Sequence, residues 1–133
     1  VYDSKTGTTK AVAEQMGEMT RAAGHECSVD SIADADPAAV SGADVICVGS
    51  WTKGLYVVFQ GPTQATIEFV ERLEALDGKQ VVVFTTYAIA VGKTLEKMAR
   101  SLEARGANVT GRFKSKGPSV ATDFAPWLRR LAA

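Results

Sequence analysis

The sequence has little of what several large classes of protein need. Only one histidine is present, so neither a serine hydrolase nor a histidine-rich metal enzyme is supported. The 15 basic and 15 acidic side chains cancel, which leaves no basic excess to drive nucleic-acid binding by counterion release. No apolar run approaches the ~20 residues of a membrane-spanning helix, and repeats and low-complexity tracts are lacking. These absences argue against a nucleic-acid partner and against a membrane span.

Cysteine is also scarce, and the two residues present, Cys27 and Cys47, lack the spacing of metal ligands. We interpret both as buried free thiols of a cytosolic protein and expect a cytoplasmic location. No secretory signal is visible, and the apolar start Val1-Tyr2 indicates a chain that begins inside its first strand, so we expect a few residues to precede it. The length of 133 residues and the 46% apolar composition predict a single domain, 1–133, with its own core.

What the sequence does contain is a short stretch, residues 4–9, with four hydroxyl side chains and one glycine. A helical pattern follows at once, with apolar residues at Val12, Met16, Met19 and Ala23 and a stop at Gly24. The stretch is therefore predicted to be a strand-to-helix turn whose backbone N–H groups face outward at a helix N-terminus. Such a terminus carries partial positive charge and unpaired donors, which suit a phosphate group.

A simpler interpretation of this stretch is a helix cap, which is the usual role of a single Ser or Thr at this place. Four hydroxyls around one glycine favour a phosphate site instead. The stretch is not a Walker loop, because Lys5 precedes Gly7 and no Gly-Lys-Ser/Thr follows. It is not the dinucleotide-binding G-x-G-x-x-G pattern either, since it holds only one glycine.

Ser4-x-Thr6-Gly7-x-Thr9 matches the phosphate-loop pattern Ser/Thr-x-Thr-Gly-x-Thr of the flavodoxins, at the same place after the first strand. The chain resembles a short-chain flavodoxin over nearly its whole length, and it lacks the insert that splits the fifth strand of longer flavodoxins. The resemblance implies FMN as cofactor, with its phosphate in this loop. The balanced charge departs from the family, whose members are often strongly acidic.

Strands and helices alternate along the chain, which predicts an α/β fold with a parallel sheet. The segments 25–31 and 107–113 alternate apolar and polar residues, as edge strands do. The segments 45–48 and 80–86 are nearly continuous in apolar residues, as central strands are. These textures fit a flavodoxin-like, three-layer, doubly wound sandwich with a five-stranded parallel sheet of order 2-1-3-4-5. The order places a strand between Cys27 and Cys47, so no disulfide is expected.

Ligands of such sheets bind outside the carboxyl ends of the strands, where the strand order reverses. Three loops meet there and resemble the flavin-holding loops of flavodoxins, so their residues are the predicted cofactor-binding set. The set comprises Ser4, Lys5, Thr6, Gly7, Thr8, Thr9, Ser50, Trp51, Thr52, Lys53, Gly54, Thr85, Thr86, Tyr87 and Gly92. No catalytic residue and no metal ligand is predicted.

Two aromatic residues in these loops, Trp51 and Tyr87, could stack on a planar ring. Trp51 could instead be a core residue, and Tyr87 could instead be a surface tyrosine. Of the two lysines, Lys5 is expected to point to water. Lys53 is hypothesised to approach the ring and stabilise its anionic reduced form.

The segment from Trp51 to Pro62 is predicted to be a long loop, and its part 55–61 is unusually apolar for one. It would either cover the flavin or dock a partner. Alternatively, residues 56–59 form a buried strand-like turn over the next helix. The sequence does not decide between these possibilities.

The function that the sequence favours is a low-potential electron carrier, which holds FMN and moves single electrons between redox partner proteins. A small NAD(P)H-dependent flavin or quinone reductase of related fold is the alternative, although 133 residues leave little chain for a second pocket. A phosphoacceptor receiver domain is rejected, because Asp3 has no acidic neighbour and Ser50-Trp51 occupies the place of the phosphorylated aspartate. We expect a monomer.

Overall fold

The computed structural model describes residues 1–55 and 58–131. Strands and helices alternate along most of this length. The elements are β1 (Tyr2–Asp3), α1 (Thr8–Ala22), α2 (Pro37–Ser41), β2 (Val45–Trp51), β3 (Lys53–Leu55), β4 (Val58–Gly61), α3 (Gln64–Glu71), β5 (Gln80–Thr86), α4 (Thr94–Glu103), β6 (Asn108–Ser115) and α5 (Phe124–Leu131).

The main sheet has four parallel strands in the order β1-β2-β5-β6. The α/β class and the relative order of these four strands agree with the prediction, but the five-stranded sheet is wrong. Segment 25–31 does lie beside β1, where the Tyr2 N–H donates to the Asp30 carbonyl at 3.1 Å and the Ile32 N–H donates to the Tyr2 carbonyl at 2.8 Å. It makes only one isolated bridge, between Tyr2 and Ser31. Because β1 is two residues long, it offers too short a ladder to organise a neighbouring strand.

A two-stranded antiparallel ribbon stands where a long loop was predicted after Trp51. Its strands β3 and β4 pair Lys53 with Gly61 and Leu55 with Val58. The loop prediction is therefore wrong for these strands, since the apolar and aromatic residues that make 55–61 unusual for a loop also favour strand pairing. The question of what residues 56–59 cover falls partly on Tyr56 and Val57, which lie outside the described residues.

Apolar side chains cover both faces of the sheet and give the predicted three layers. On one face, α3 and α4 pack their Phe69, Val70, Met98 and Leu102 against Ile46, Val48, Val81 and Val83. On the other, α1 and α5 pack Val12, Met16, Phe124 and Trp127 against Val82, Phe84 and Phe113. Strand β5 supplies residues to both clusters, which is why its sequence is continuously apolar rather than alternating.

Gly49 marks the closest packing on the second face. A Cβ atom there would lie 2.1 Å from Cζ of Phe84, its register partner on β5, so the phenyl ring occupies the space that any side chain would need. Within residues 1–55 and 58–131, no helix is both long and apolar enough to cross a membrane.

Candidate functional site

The turn between β1 and α1 is held by the side chain of Ser4. Its Oγ accepts the backbone N–H groups of Gly7 at 3.1 Å and of Lys10 at 3.2 Å. Gly7 is the N-cap of α1 with φ of 93°, a left-handed conformation that favours glycine, and it supplies no side-chain cap. The first turn of α1 holds no acidic residue. Ser4 thus caps one first-turn N–H group of this 15-residue helix, that of Lys10. With no acidic residue in the first turn, the helix N-terminus is suited to an anion.

Paired hydroxyls lock this turn to the ends of the two central strands. Thr9 is almost fully buried, and its Oγ1 lies 2.7 Å from Oγ1 of Thr86 at the end of β5. Thr52 and Thr85 make a second such pair at 2.8 Å, and Thr85 Oγ1 also donates to the Ser50 carbonyl at 2.6 Å. These bonds fix three chain segments against one another at the carboxyl edge of the sheet.

Further hydrogen bonds connect Asp3, the acidic residue directly before the turn, to the start of α3. Thr63 donates its hydroxyl to Oδ2 of Asp3, and its backbone N–H donates to Oγ of Ser50 at 3.0 Å. Asp3 therefore accepts a hydrogen bond from Thr63, the N-cap residue of α3.

A cavity of about 370 Å³ lies in front of these segments. Nine of the predicted residues line it, and they come from all three predicted loops. They are Ser4, Lys5, Thr6, Thr8, Thr9, Trp51, Thr52, Thr86 and Tyr87, joined by Ala88, Lys116 and Gly117. This volume lies within the usual range of small-molecule sites, roughly 300–1,000 Å³.

The described residues that line the cavity include two lysines, Lys5 and Lys116, and no carboxylate. The two aromatic rings, Trp51 and Tyr87, are each half-buried. The Nζ atom of Lys5 lies 5.1 Å from the centroid of the Trp51 ring, within reach of a cation–π contact. One wall of the cavity is therefore cationic and hydroxyl-rich, and aromatic faces are available beside it.

The other predicted residues do not line this cavity. Ser50 and Thr85 are buried and belong to the hydroxyl bonds described above. Gly7 is the N-cap of α1 and does not line the cavity. Lys53 is exposed on β3, next to Gly54. Gly92 lines a second cavity on the far side of Tyr87.

Sequence reasoning missed the loop that follows β6, which supplies Lys116 and Gly117. The same rule that selected the other loops could have found it, because Lys116-Gly117-Pro118 comes directly after the last parallel strand. Ala88 was passed over inside a predicted loop because its side chain carries no chemistry of its own. No group of three or more His, Cys, Asp or Glu suited to a metal occurs among the residues that the structure describes.

Comparisons with known proteins agree with this geometry. A model of the flavodoxin domain matches residues 1–124. The two-electron reduced flavodoxin of Megasphaera elsdenii is similar in structure, with a TM-score of 0.78, 28% identity, and coverage of 98% of this chain and 92% of that one. The flavodoxin of Streptococcus pneumonia TIGR4 has a TM-score of 0.76 at 21% identity, covering 98% of this chain and 91% of its own.

The fold also occurs within longer chains. The rubredoxin oxygen:oxidoreductase of Desulfovibrio gigas matches 98% of this chain with only 33% of its own length, at 19% identity and a TM-score of 0.75. The match of the family model to most of the sequence is decisive for membership. The chain belongs to the flavodoxin domain family, whose cofactor is FMN.

Proposed function

We propose that this protein binds FMN in the cavity described above and carries single electrons between redox partner proteins at low potential. The observation that carries the proposal is that one cavity combines a helix N-terminus, two lysines and two aromatic rings, with no carboxylate among the described residues that line it. Bound FMN supplies a ring that takes up and releases electrons. The protein's own residues bind it, orient it and set its potential.

The phosphate of FMN is assigned to the turn in front of α1. A phosphate dianion is stabilised there by the helix N-terminus and by Lys5 and Lys116. Among the residues that the structure describes, the hydroxyls of Thr6 and Thr8 hydrogen-bond only to each other, at a long 3.5 Å, so both can turn toward the phosphate. Thr9 lines the cavity too, but its hydroxyl is already paired with Thr86.

The ring of FMN is assigned to the space beside Trp51 and Tyr87. Both residues directly follow or end a central strand, so the sheet fixes their backbones. The Tyr87 N–H donates to the Ser115 carbonyl at 3.1 Å, and the Thr52 N–H donates to the Thr86 carbonyl at 2.8 Å. A preorganised site of this kind loses little conformational entropy when a rigid ring binds.

The test of the binding assignment compares FMN with riboflavin, which lacks the phosphate. Thr8→Val removes one donor to a dianion, and such a bond contributes ~1.5–3 kcal/mol. We therefore expect FMN affinity to fall by roughly tenfold or more and riboflavin affinity to stay the same, measured by quenching of flavin fluorescence. Thr122→Val, an equivalent change at an exposed residue outside this cavity, is the control. Equal losses for both ligands would place the phosphate elsewhere.

The carrier role is tested by reducing the flavin-loaded protein stepwise while its absorption spectrum is recorded. A carrier should accept electrons one at a time from an added reductant and turn over slowly with NAD(P)H alone. Rapid turnover with NAD(P)H and no other protein would contradict the proposal.

The monomeric state and the cytoplasmic location stay predictions from the sequence. Size-exclusion chromatography with light scattering tests whether the protein is a monomer.

A further inference from the structure

Six exposed lysines lie at the carboxyl edge of the sheet, where the cofactor cavity opens, and two of them, Lys5 and Lys116, line that cavity. We call them the lysine rim: Lys5, Lys10, Lys53, Lys93, Lys114 and Lys116. Each lies where one of the four parallel strands ends or where the following ribbon or helix begins, so all six share the carboxyl edge of the sheet. None of them forms an ion pair within residues 1–55 and 58–131.

The rim is basic although the whole chain is neutral. The segments that hold the last residues of the four strands and the chain after them, namely 3–10, 52–55, 58–63, 86–97 and 114–123, carry seven lysines against three carboxylates. The seventh lysine, Lys97, donates to the Gln60 carbonyl at 3.0 Å, which leaves six in the rim. Two of the carboxylates are already engaged, Asp3 by Thr63 and Glu96 by Arg100. Asp34 and Asp36 lie outside these segments, in the stretch between segment 25–31 and α2.

A groove opens beside the rim on the far side of Tyr87. It has a volume of about 880 Å³, and its walls combine apolar, cationic and acidic side chains, namely Val91, Leu95, Arg112, Lys114, Glu96 and Asp123. The groove itself is therefore balanced in charge, and the basic character of this edge comes from the lysine rim. Tyr87 lines both this groove and the cofactor cavity. A molecule in the groove would therefore touch the same half-buried ring that borders the proposed flavin site.

We propose that the lysine rim and this groove form the docking surface for the acidic face of a redox partner protein. The inference rests on the proposed function, since electrons must leave where a partner comes closest to the flavin. Unpaired lysines attract an acidic face by long-range steering, and the apolar side chains Val91 and Leu95 supply contact area once the partner has docked. A nucleic acid is the less favoured occupant, because the chain as a whole carries no basic excess.

The first experiment measures the field at the mouth with two small oxidants of opposite charge. Flavin-loaded protein is reduced and then oxidised by ferricyanide, an anion, or by tris(phenanthroline)cobalt(III), a cation. Each oxidant takes one electron from the reduced flavin and becomes ferrocyanide or the cobalt(II) complex. Between about 10 and about 500 mM salt, we expect the ferricyanide rate constant to fall by roughly fivefold or more and the cobalt rate constant to rise.

Charge-reversal variants locate the effect. Lys93→Glu/Lys114→Glu should abolish or invert the salt dependence for ferricyanide. Arg129→Glu/Arg130→Glu makes the same change in net charge at exposed residues in the last turn of α5, far from the mouth, and should leave the dependence nearly unchanged. Circular dichroism of both variants checks that they are folded. Equal effects of the two double variants would overturn the assignment to the rim.

The second experiment tests the chemistry of the partner with a fluorescent glutamate-rich peptide of about 20 residues. We expect it to bind the flavin-loaded protein at low salt and to bind the Lys93→Glu/Lys114→Glu variant at least about tenfold more weakly. A single-stranded oligonucleotide of equal charge is measured alongside. Tighter binding of the oligonucleotide, or no binding of the peptide, would overturn a protein partner.

The flavin content of each preparation separates the two proposals. If the wild-type protein binds no FMN, the proposed function and the docking surface both fail. If it binds FMN but ferricyanide oxidation is independent of salt or speeds up with salt, only the docking surface fails.

Discussion

At the scale of single residues, the hydroxyl groups at the carboxyl edge divide into two sets. Thr9, Thr86, Thr52 and Thr85 satisfy one another in close pairs and hold the segments together. Thr6 and Thr8 lie in the same turn with only a weak mutual contact. The hydroxyls of Thr6 and Thr8 can therefore bind a ligand. The paired threonines fix the position of the turn that holds them.

Lys5 and Lys53 differ in their place relative to the cavity. The sequence suggested that Lys53 approaches the ring and that Lys5 points to water, and the structure favours Lys5 for the position near the ring. Both side chains are exposed, but Lys5 lines the cavity near Trp51 and Lys53 does not. A cation close to the ring stabilises the anionic reduced flavin and raises its reduction potential. Lys5 is therefore the better candidate for that role.

Replacing Lys5 tests this electrostatic role directly. Lys5→Gln should lower the reduction potential of bound FMN by on the order of 40 mV, which corresponds to ~1 kcal/mol for one electron. Lys53→Gln should change it less, because its side chain lies outside the cavity. Spectroscopic redox titration of both variants gives the comparison, and a larger shift for Lys53→Gln would restore the original hypothesis.

Cys47 offers a prediction about pH. Both cysteines are free and half-buried, and burial raises the pKa of the Cys47 thiol from 9.0 to about 11. An unfolded chain therefore loses this proton at lower pH than the folded chain does. The contribution of the protonated Cys47 thiol to the free energy of unfolding is fully present below about pH 9. It is lost as the pH rises toward about 11, and the loss is on the order of 2 kcal/mol.

Cys47→Ala removes this titration. The free energy of unfolding, measured with urea at several pH values, should fall less steeply for the variant than for the wild type between about pH 9 and 11. At neutral pH the two should differ only by a constant offset from lost packing. Parallel curves throughout would show that the thiol does not titrate as described.

At the scale of elements, helix α1 and strands β2 and β5 form the working unit. Gly7 starts α1 in a left-handed conformation, and Gly49 leaves the space that the Phe84 ring occupies in the cluster shared with α1 and α5. Neither glycine contacts the cavity directly. Both glycines affect how the elements that line the cavity pack against one another.

The packing at Gly49 can be tested against a matched glycine. Gly49→Ala puts a Cβ 2.1 Å from Cζ of Phe84 and should destabilise the fold by ~1–3 kcal/mol, as overpacking of a core does. Gly42→Ala, whose Cβ would meet its nearest atom at an ordinary 3.5 Å, should stay within about 0.5 kcal/mol of wild type. Urea unfolding of both proteins decides the matter, and equal stabilities would contradict the packing argument.

At the scale of the whole molecule, ligand binding and folding are coupled. The cavity is walled by residues that end or follow β1, β2, β5 and β6, so any ligand held there requires the sheet to be assembled. FMN at about 100 times its dissociation constant should stabilise the folded state by ~2.7 kcal/mol. For a domain of this size that corresponds to a rise in Tm of roughly 10 °C.

Differential scanning fluorimetry or calorimetry measures this shift. Riboflavin at the same concentration should raise Tm less, because it lacks the phosphate that we assign to the α1 turn. Thr8→Val should lower the FMN shift toward the riboflavin value. A shift that is the same for both flavins in the wild type would contradict the assignment of the phosphate to the turn.

The sequence by itself determined the α/β class, the turn before α1 and the relative order of the four strands. These features depend on local periodicity, on the burial of Val81 to Phe84 on both faces, and on the conformational freedom of Gly7, all of which are encoded residue by residue. The hydroxyl-rich composition of the turn also indicated an anion site without any knowledge of the fold.

Only the tertiary structure decided the rest. Segment 25–31 has the alternation of a strand, but β1 is too short to pair with it along a ladder, and that is a property of the partner rather than of the segment. The apolar stretch after Trp51 looked like a loop until β3 and β4 paired with each other. Lys5, Lys116 and Lys53 are alike in sequence terms, and only their distances from one shared cavity distinguish them, because proximity across the sheet depends on long-range contacts that no local pattern records.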